Sequence, residues 1–152
     1  MRPHLASLVE EFRQHSAETA VVSHRGNRRY RTTYGELAEI AGRFAAELER
    51  SGVATGERVV LWGENSAEWI GVFFGCLLRG VIVVPLDATG SSEFAGRVMK
   101  DVAPKLIVGD RNLLTALQTD ASQLWLSELA AQLPAEPIFA VGEAVNAQTP
   151  FQ

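Results

Sequence analysis

Residues 57–87 read ERVVLWGENSAEWIGVFFGCLLRGVIVVPLD, and the way this stretch divides decides the fold. It opens on Arg58-Val59-Val60-Leu61-Trp62, an apolar run without polar alternation. A strand reads this way when both of its faces are covered, as in a parallel sheet. A second such run, Val81-Ile82-Val83-Val84, stands near the end of the stretch. Between Trp69 and Leu86 the only charge is Arg79, and by length this segment could just span a bilayer. However, Gly71, Gly75, Gly80 and Pro85 punctuate it, and Arg79-Gly80 falls where a helix should stop. The stretch therefore predicts strand, buried helix, strand, and no transmembrane segment.

Working outward, a third run, Leu106-Ile107-Val108, follows downstream, and a helical pattern separates each pair of runs. The runs begin at 59, 81 and 106, which is 22 and then 25 residues apart. That spacing predicts successive βαβ units with right-handed crossovers. Asn65, with Glu68 three residues on, is the expected cap of the first intervening helix; Ser91 or Ser92 should cap the second. Upstream, Thr33 and Glu36 form a capping-box pattern ahead of one apolar stripe, Tyr34, Leu37, Ala38, Ala41, Phe44, Ala45 and Leu48, with Gly52 as the stop. Before that helix, residues 19–23 and 28–32 flank His24-Arg25-Gly26-Asn27, a hairpin pattern, and Leu5, Leu8, Val9 and Phe12 predict a helix over 4–15. The last third carries weaker signals: a short helix at 112–118, a strand at 123–126, a helix at 127–133 and a strand at 137–141. The predicted fold class is α/β, a three-layer and mostly parallel sheet flanked by helices, with an N-terminal helix and β-hairpin.

Composition narrows the function. The chain has 152 residues, 47% hydrophobic and 21% charged, which excludes a disordered, collagen-like or disulfide-scaffold protein. A net charge of −4 gives no reason to expect nucleic acid or an anionic membrane as partner. The single cysteine, Cys76, cannot close an internal disulfide, and acidic residues interrupt the N-terminus before any signal-peptide core, so a cytoplasmic setting is expected. Lysine is scarce, with only Lys100 and Lys105.

The usual chemical signatures are absent. There is no G-x-x-x-x-G-K-[ST], no G-x-G-x-x-G after a strand and no G-x-S-x-G. His4, His15 and His24 lie far along the chain from Cys76, which supports neither a zinc site nor a Cys-His pair. Arg25, Arg28, Arg29 and Arg31 cluster around Tyr30. They read either as a phosphate or nucleic-acid contact, or more plainly as a solvated hairpin face or as salt bridges to nearby Glu residues; the lack of aromatic platforms and of a basic surround favours the plainer reading. Trp62, Trp69, Phe73 and Phe74 read either as core or as the wall of an apolar pocket. Ligands of open α/β sheets sit outside the carboxyl ends of the strands, which points at residues 63–65, 85–90 and 109–111.

In order along the chain stand Thr33-Tyr34-Gly35-Glu36-Leu37, then Gly52 to Val59 with Gly56-Glu57-Arg58-Val59, then Asn65-Ser66-Ala67-Glu68-Trp69, then Gly80 and Pro85-Leu86-Asp87. This series resembles the N-terminal region of the adenylate-forming superfamily, the acyl-CoA synthetases, luciferases and peptide-synthetase adenylation domains. That region reads T-Y-x-E-L, G-x-x-x-G-D-R-V, N-x-x-E-[WF] and G-x-x-x-x-P-[LI]-[ND]. Glu57 departs mildly from the usual Asp, and Gly75-Cys76 from the usual Ala. The resemblance implies that residues 1–152 are the N-terminal part of the large domain of an AMP-forming carboxylate–CoA ligase. ATP, Mg and coenzyme A are implied for the parent enzyme, with a small-molecule carboxylate as substrate and the rest of that enzyme as partner. The family's phosphate-binding loop T-S-G-T-T-G-x-P-K-G, its Y-G-x-T-E segment and its C-terminal Lys have no counterpart here. The expectation is therefore a fragment that ends just before the phosphate loop, binds none of those cofactors itself and has no catalytic residue. Trp62, Asn65 and Trp69 are the expected wall of an acyl pocket. A self-standing binding domain and the start of a peptide-synthetase adenylation domain are the alternatives. Self-association through a sheet edge left open is a further expectation.

Overall fold

The computed structural model describes residues 5–25 and 27–140. A 3-10 turn at Leu5–Ser7 enters α1, Leu8–Gln14, followed by the hairpin strands β1, Thr19–Arg25, and β2, Arg28–Thr33. Then come α2 (Tyr34–Arg50), β3 (Arg58–Trp62), α3 (Ala67–Leu78), β4 (Ile82–Leu86), α4 (Ser92–Val102) and β5 (Leu106–Gly109). The short α5 (Arg111–Leu114), β6 (Ser122–Trp125), a 3-10 turn at Leu126–Glu128 and α6 (Leu129–Gln132) complete the regular structure. The last four strands form one parallel sheet in the order β4-β3-β5-β6, and the hairpin is a separate antiparallel pair.

The central strand explains the layers. Val59 stands opposite Val83 on one side and Leu106 on the other. Val59 and Leu61 pack into a cluster with Phe44 and Leu48 of α2 and Val72 and Cys76 of α3. Val60 and Trp62 point the other way, onto Ile107, Ala95 of α4 and Leu114 of α5. A third cluster, built on Ala6, Val9, Ala38, Ala41, Ala45 and Leu78, lays α1 over α2 and α3. The apolar segment 69–86 divides at Arg79 into helix and strand as expected, and among the described residues no helix is long and apolar enough to cross a membrane.

Local chemistry sets the boundaries. The capping box of α2 is present: Thr33 Oγ1 accepts the Glu36 N–H and Glu36 returns a carboxylate oxygen to the Thr33 N–H. Both α2 and α3 end in Schellman motifs. In α3 the Val81 N–H reaches the Cys76 carbonyl and the Gly80 N–H that of Leu77, with Gly80 at φ +66°. This corrects the expected strand at 81–84, because Val81 spends its N–H on the helix end and β4 starts one residue later. Pro85 and Leu86 extend β4, where an edge strand tolerates a missing N–H. The cap of α3 is Ser66, whose hydroxyl accepts the Trp69 N–H, and not Asn65, which is exposed one residue ahead. Ser91 caps α4. Residues 137–140 are not a strand, although the Ile138 N–H binds the Gly42 carbonyl; position 141 and the tail lie outside the described residues.

The two edges of the sheet are blunted differently. On β4 the exposed Pro85 interrupts the row of donors. On β6 the Gln132 side-chain amide takes both the N–H and the carbonyl of Trp125, as a neighbouring strand would. Arg43 and Arg50 of α2 secure the end of α6: Arg43 donates to the carbonyls of Ala130, Leu133 and Pro134, and Arg50 to that of Gln132. Glu47, buried at 5% exposure, joins Arg50 and Ser51 in the same network.

Close approach of α2 and α3 rests on glycine. A Cβ on Gly75 would stand 2.8 Å from the Ala41 carbonyl oxygen and 2.9 Å from Phe44 Cδ2. Gly96 of α4 has open space at the same position. Gly75→Ala gains helix propensity but overpacks an interface whose nearest atom is backbone, so a net loss of about 1–2 kcal/mol is expected. Gly96→Ala should instead stabilise by about 0.5–1 kcal/mol. Urea denaturation of both variants checks the opposite signs.

Candidate functional site

The strand order defines where a ligand can sit. From β3 the chain moves outward to β4 through α3, then returns across β3 to β5 through α4. The direction of winding reverses between β3 and β5, so among the described residues no strand-to-strand connection crosses the gap at their carboxyl ends. At that position lies an open cleft of about 570 Å³ lined by Glu64, Asp110, Arg111, Asn112, Thr115 and Ser127.

The cleft is built by backbone fit. Asp110 Oδ2 accepts the Glu64 N–H at 2.9 Å, and the Asp110 N–H binds the Trp62 carbonyl at 3.0 Å. Its own carbonyl accepts the N–H groups of Leu113 and Leu114. Asp110 thus pins the loop after β3 to the end of β5. Gly63 and Gly109 make that contact possible: a Cβ on Gly109 would sit 2.1 Å from the Trp62 carbonyl oxygen, and one on Gly63 2.9 Å from Asp110 Oδ1. Arg111 lies over the Trp125 ring with its guanidinium carbon 4.5 Å from the centroid. The buried Trp125 indole N–H has no acceptor among the described residues.

The third loop is tied in from the side. Trp62 Nε1 donates to the Asp87 carbonyl at 2.9 Å, holding the turn after β4 against the end of β3. The Thr89 N–H and then its hydroxyl bond the Asp87 carboxylate and hold it below the usual carboxylate range.

The structure does not bring Trp62, Asn65 and Trp69 together. Trp62, 1% exposed, fills the core under α4 and α5. Trp69 packs on the opposite face of the sheet, stacked on Phe73 with ring centroids 5.7 Å apart. Asn65 is exposed in the loop between β3 and α3. The strand-end rule located Glu64, Asp110 and Arg111, but Thr115 and Ser127 come from later elements and carry no local signal.

The cleft can hydrogen-bond a polar group, but its donors do not suit a nucleoside triphosphate. Glu64 and Asp110 present carboxylates, and the one cation, Arg111, is engaged on Trp125. Among the described residues no three His, Cys, Asp or Glu side chains gather to hold a metal ion. The fit expected of a site for ATP and Mg is therefore not met by these residues.

The fold is thus a parallel α/β unit with a polar cleft at the switch point of its sheet. The chain belongs to the AMP-binding enzyme family, whose family model matches residues 8–149. It is 32% identical over 132 residues to malpinin synthetase of Mortierella alpina, covering 86% of this chain and 2% of that protein. It is 30% identical over 78 residues to a long-chain-fatty-acid–CoA ligase of Mycobacterium tuberculosis, covering 51% of this chain and 16% of that protein. Among solved structures, a nonribosomal peptide synthetase with AMPPNP bound superposes with a TM-score of 0.75 at 25% identity, over 89% of this chain and 15% of that one. The chain thus spans a small part of the length of the curated relatives it matches.

Two outcomes follow from the cleft. Asp110→Ala leaves the Glu64 N–H without its acceptor and should cost about 1–2 kcal/mol in thermal unfolding, at unchanged secondary structure by circular dichroism. The Asp87 carboxyl should titrate below its unfolded value, so its stabilisation is present above the ordinary carboxylate pKa and lost as pH falls through the depressed one. Thr89→Val keeps the N–H but removes the hydroxyl, and carboxyl-carbon NMR should then show the Asp87 pKa move upward.

Proposed function

We propose that residues 1–152 form the N-terminal part of the large domain of an enzyme that activates a carboxylate with ATP. The parent reaction releases pyrophosphate, forms an acyl-adenylate and passes the acyl group to the thiol of coenzyme A. The family match over residues 8–149 carries the adenylate-forming part of this reading. The likeness to a long-chain-fatty-acid–CoA ligase supports coenzyme A as acceptor. A second reading, amino-acid activation on a peptide synthetase, is supported by the likeness to the nonribosomal peptide synthetase at 25% identity.

In either case the part played by this chain is architectural. It supplies a rigid sheet whose strand ends face the neighbouring parts of the enzyme, and it leaves ATP, Mg and coenzyme A to be held there. A triphosphate needs a run of backbone N–H groups and a cation to offset its charge, and the polar cleft offers carboxylates in their place. Of the two aromatic residues of the expected acyl wall, Trp69 is the one that is partly exposed.

The purified chain should show no ATP–pyrophosphate exchange with fatty, aryl or amino acids; exchange above background would overturn the architectural role. In the enzyme that carries this chain, pyrophosphate release across the same panel identifies the substrate class. Thioester formation on coenzyme A then supports the first reading, and thioester formation only on a carrier domain supports the second.

A further inference from the structure

We propose that the β1–β2 hairpin is a docking surface for an acidic segment of a partner protein. Residues 19–33 hold four of the fourteen basic side chains and none of the eighteen acidic ones. The hairpin therefore carries a charge of +4, while the remainder of the chain carries −8.

The register places Arg29 and Arg31, half of this charge, on one ridge. Arg25 stands opposite Arg28, His24 opposite Arg29, and Val22 opposite Arg31. Directly opposed residues share a face, so Val22, His24, Arg29 and Arg31 lie side by side, and all four are exposed. Val22 adds an apolar surface, 43% exposed, in the middle of the strip. Arg31 is held in place, with Nε and Nη2 donating to Thr19 Oγ1 at 3.0 and 2.6 Å. Ordering a guanidinium before a partner arrives lowers the entropy cost of binding.

This arrangement is unfavourable for the hairpin itself. A two-stranded sheet is marginal alone, and like charges directly opposite weaken it. Elsewhere among the described residues Arg13 pairs with Glu10, Arg50 with Glu47, Arg79 with Glu49 and Lys105 with Glu57, while Arg43 and Arg58 donate to backbone carbonyls and Arg111 lies over Trp125. Among the described residues Arg28, Arg29 and Arg31 enter no ion pair. Of the two alternatives expected for this cluster, the exposed Arg28, Arg29 and Arg31 fit the solvated face and not the salt bridges to Glu.

Charge complementarity selects an acidic protein segment over an extended polyanion. The ridge is two strands wide and about 20 Å long, the footprint of one helix or one extended peptide. A membrane or a long polyanion would extend past that footprint along a body whose charge is −8. The patch is smaller than a standard interface, so the contact should be weak, fast and sensitive to salt.

The test uses a fluorescein-labelled, glutamate-rich helical peptide titrated with the full chain at low ionic strength. Anionic phosphatidylserine vesicles and a single-stranded oligothymidylate serve as competing probes. The double variant Arg28→Thr, Arg29→Thr should weaken peptide binding about tenfold while its thermal midpoint holds or rises. A Lys100→Gln, Lys105→Gln control should stay within about twofold of the parent. Should the double variant lose stability, Arg29→Gln alone is judged by the same criterion. Equal loss in the control, affinity unchanged by the hairpin variants, no peptide binding at low salt, or tighter binding to vesicles or oligothymidylate would each overturn the proposal.

Discussion

The burial of β3 on both faces is the constraint on which the rest of the structure depends. Its four apolar residues, Val59, Val60, Leu61 and Trp62, are each 1% exposed or less. Each contributes on the order of 1.5–3 kcal/mol by leaving water, but only if covers exist on both sides. The odd residues require α2 and α3, and the even ones require α4 and α5. A right-handed crossover supplies one helix to each face as the chain moves first to one side of β3 and then to the other. The strand order, the layers and the position of the cleft are consequences of that one demand.

Much of this was legible because it is written in local chemistry. The run at 58–62 matches β3 residue for residue, and Thr33 with Glu36 marks the start of α2. The misplaced boundaries arise where two local rules compete. Asn65 and Ser66 are both good caps, and Glu68 three residues after Asn65 completes the box pattern, yet the backbone turns at Ser66. Val81 has the side chain of a strand residue, but its N–H closes the preceding helix. At the cleft, the strand-end rule found Glu64, Asp110 and Arg111, whereas Thr115 and Ser127 arrive only through the pairing order. Trp62 and Trp69 read as neighbours in sequence, but the alternation of a strand followed by a helix sends them to opposite faces.

The polar residues work mainly as fasteners. Asp110 closes the gap between two strand ends, Gln132 stands in for a missing strand, and Arg43 and Arg50 hold the last helix by its carbonyls. Each replaces a hydrogen bond to water by one to backbone, worth about 1 kcal/mol net and more when a charge is involved. Together they fix the segment from β6 to α6, which has only short helices of its own to stabilise it.

Cys76 lies at 0% exposure between α2, α3 and the sheet, and burial pushes its thiol well above the ordinary range. It is the sole thiol of the chain. Its thiolate, the reactive form, is therefore withheld from alkylating reagents and oxidants while the main cluster stays closed. The rate at which a maleimide finds it counts the openings of the core, giving the native sequence its own clock for cooperative unfolding.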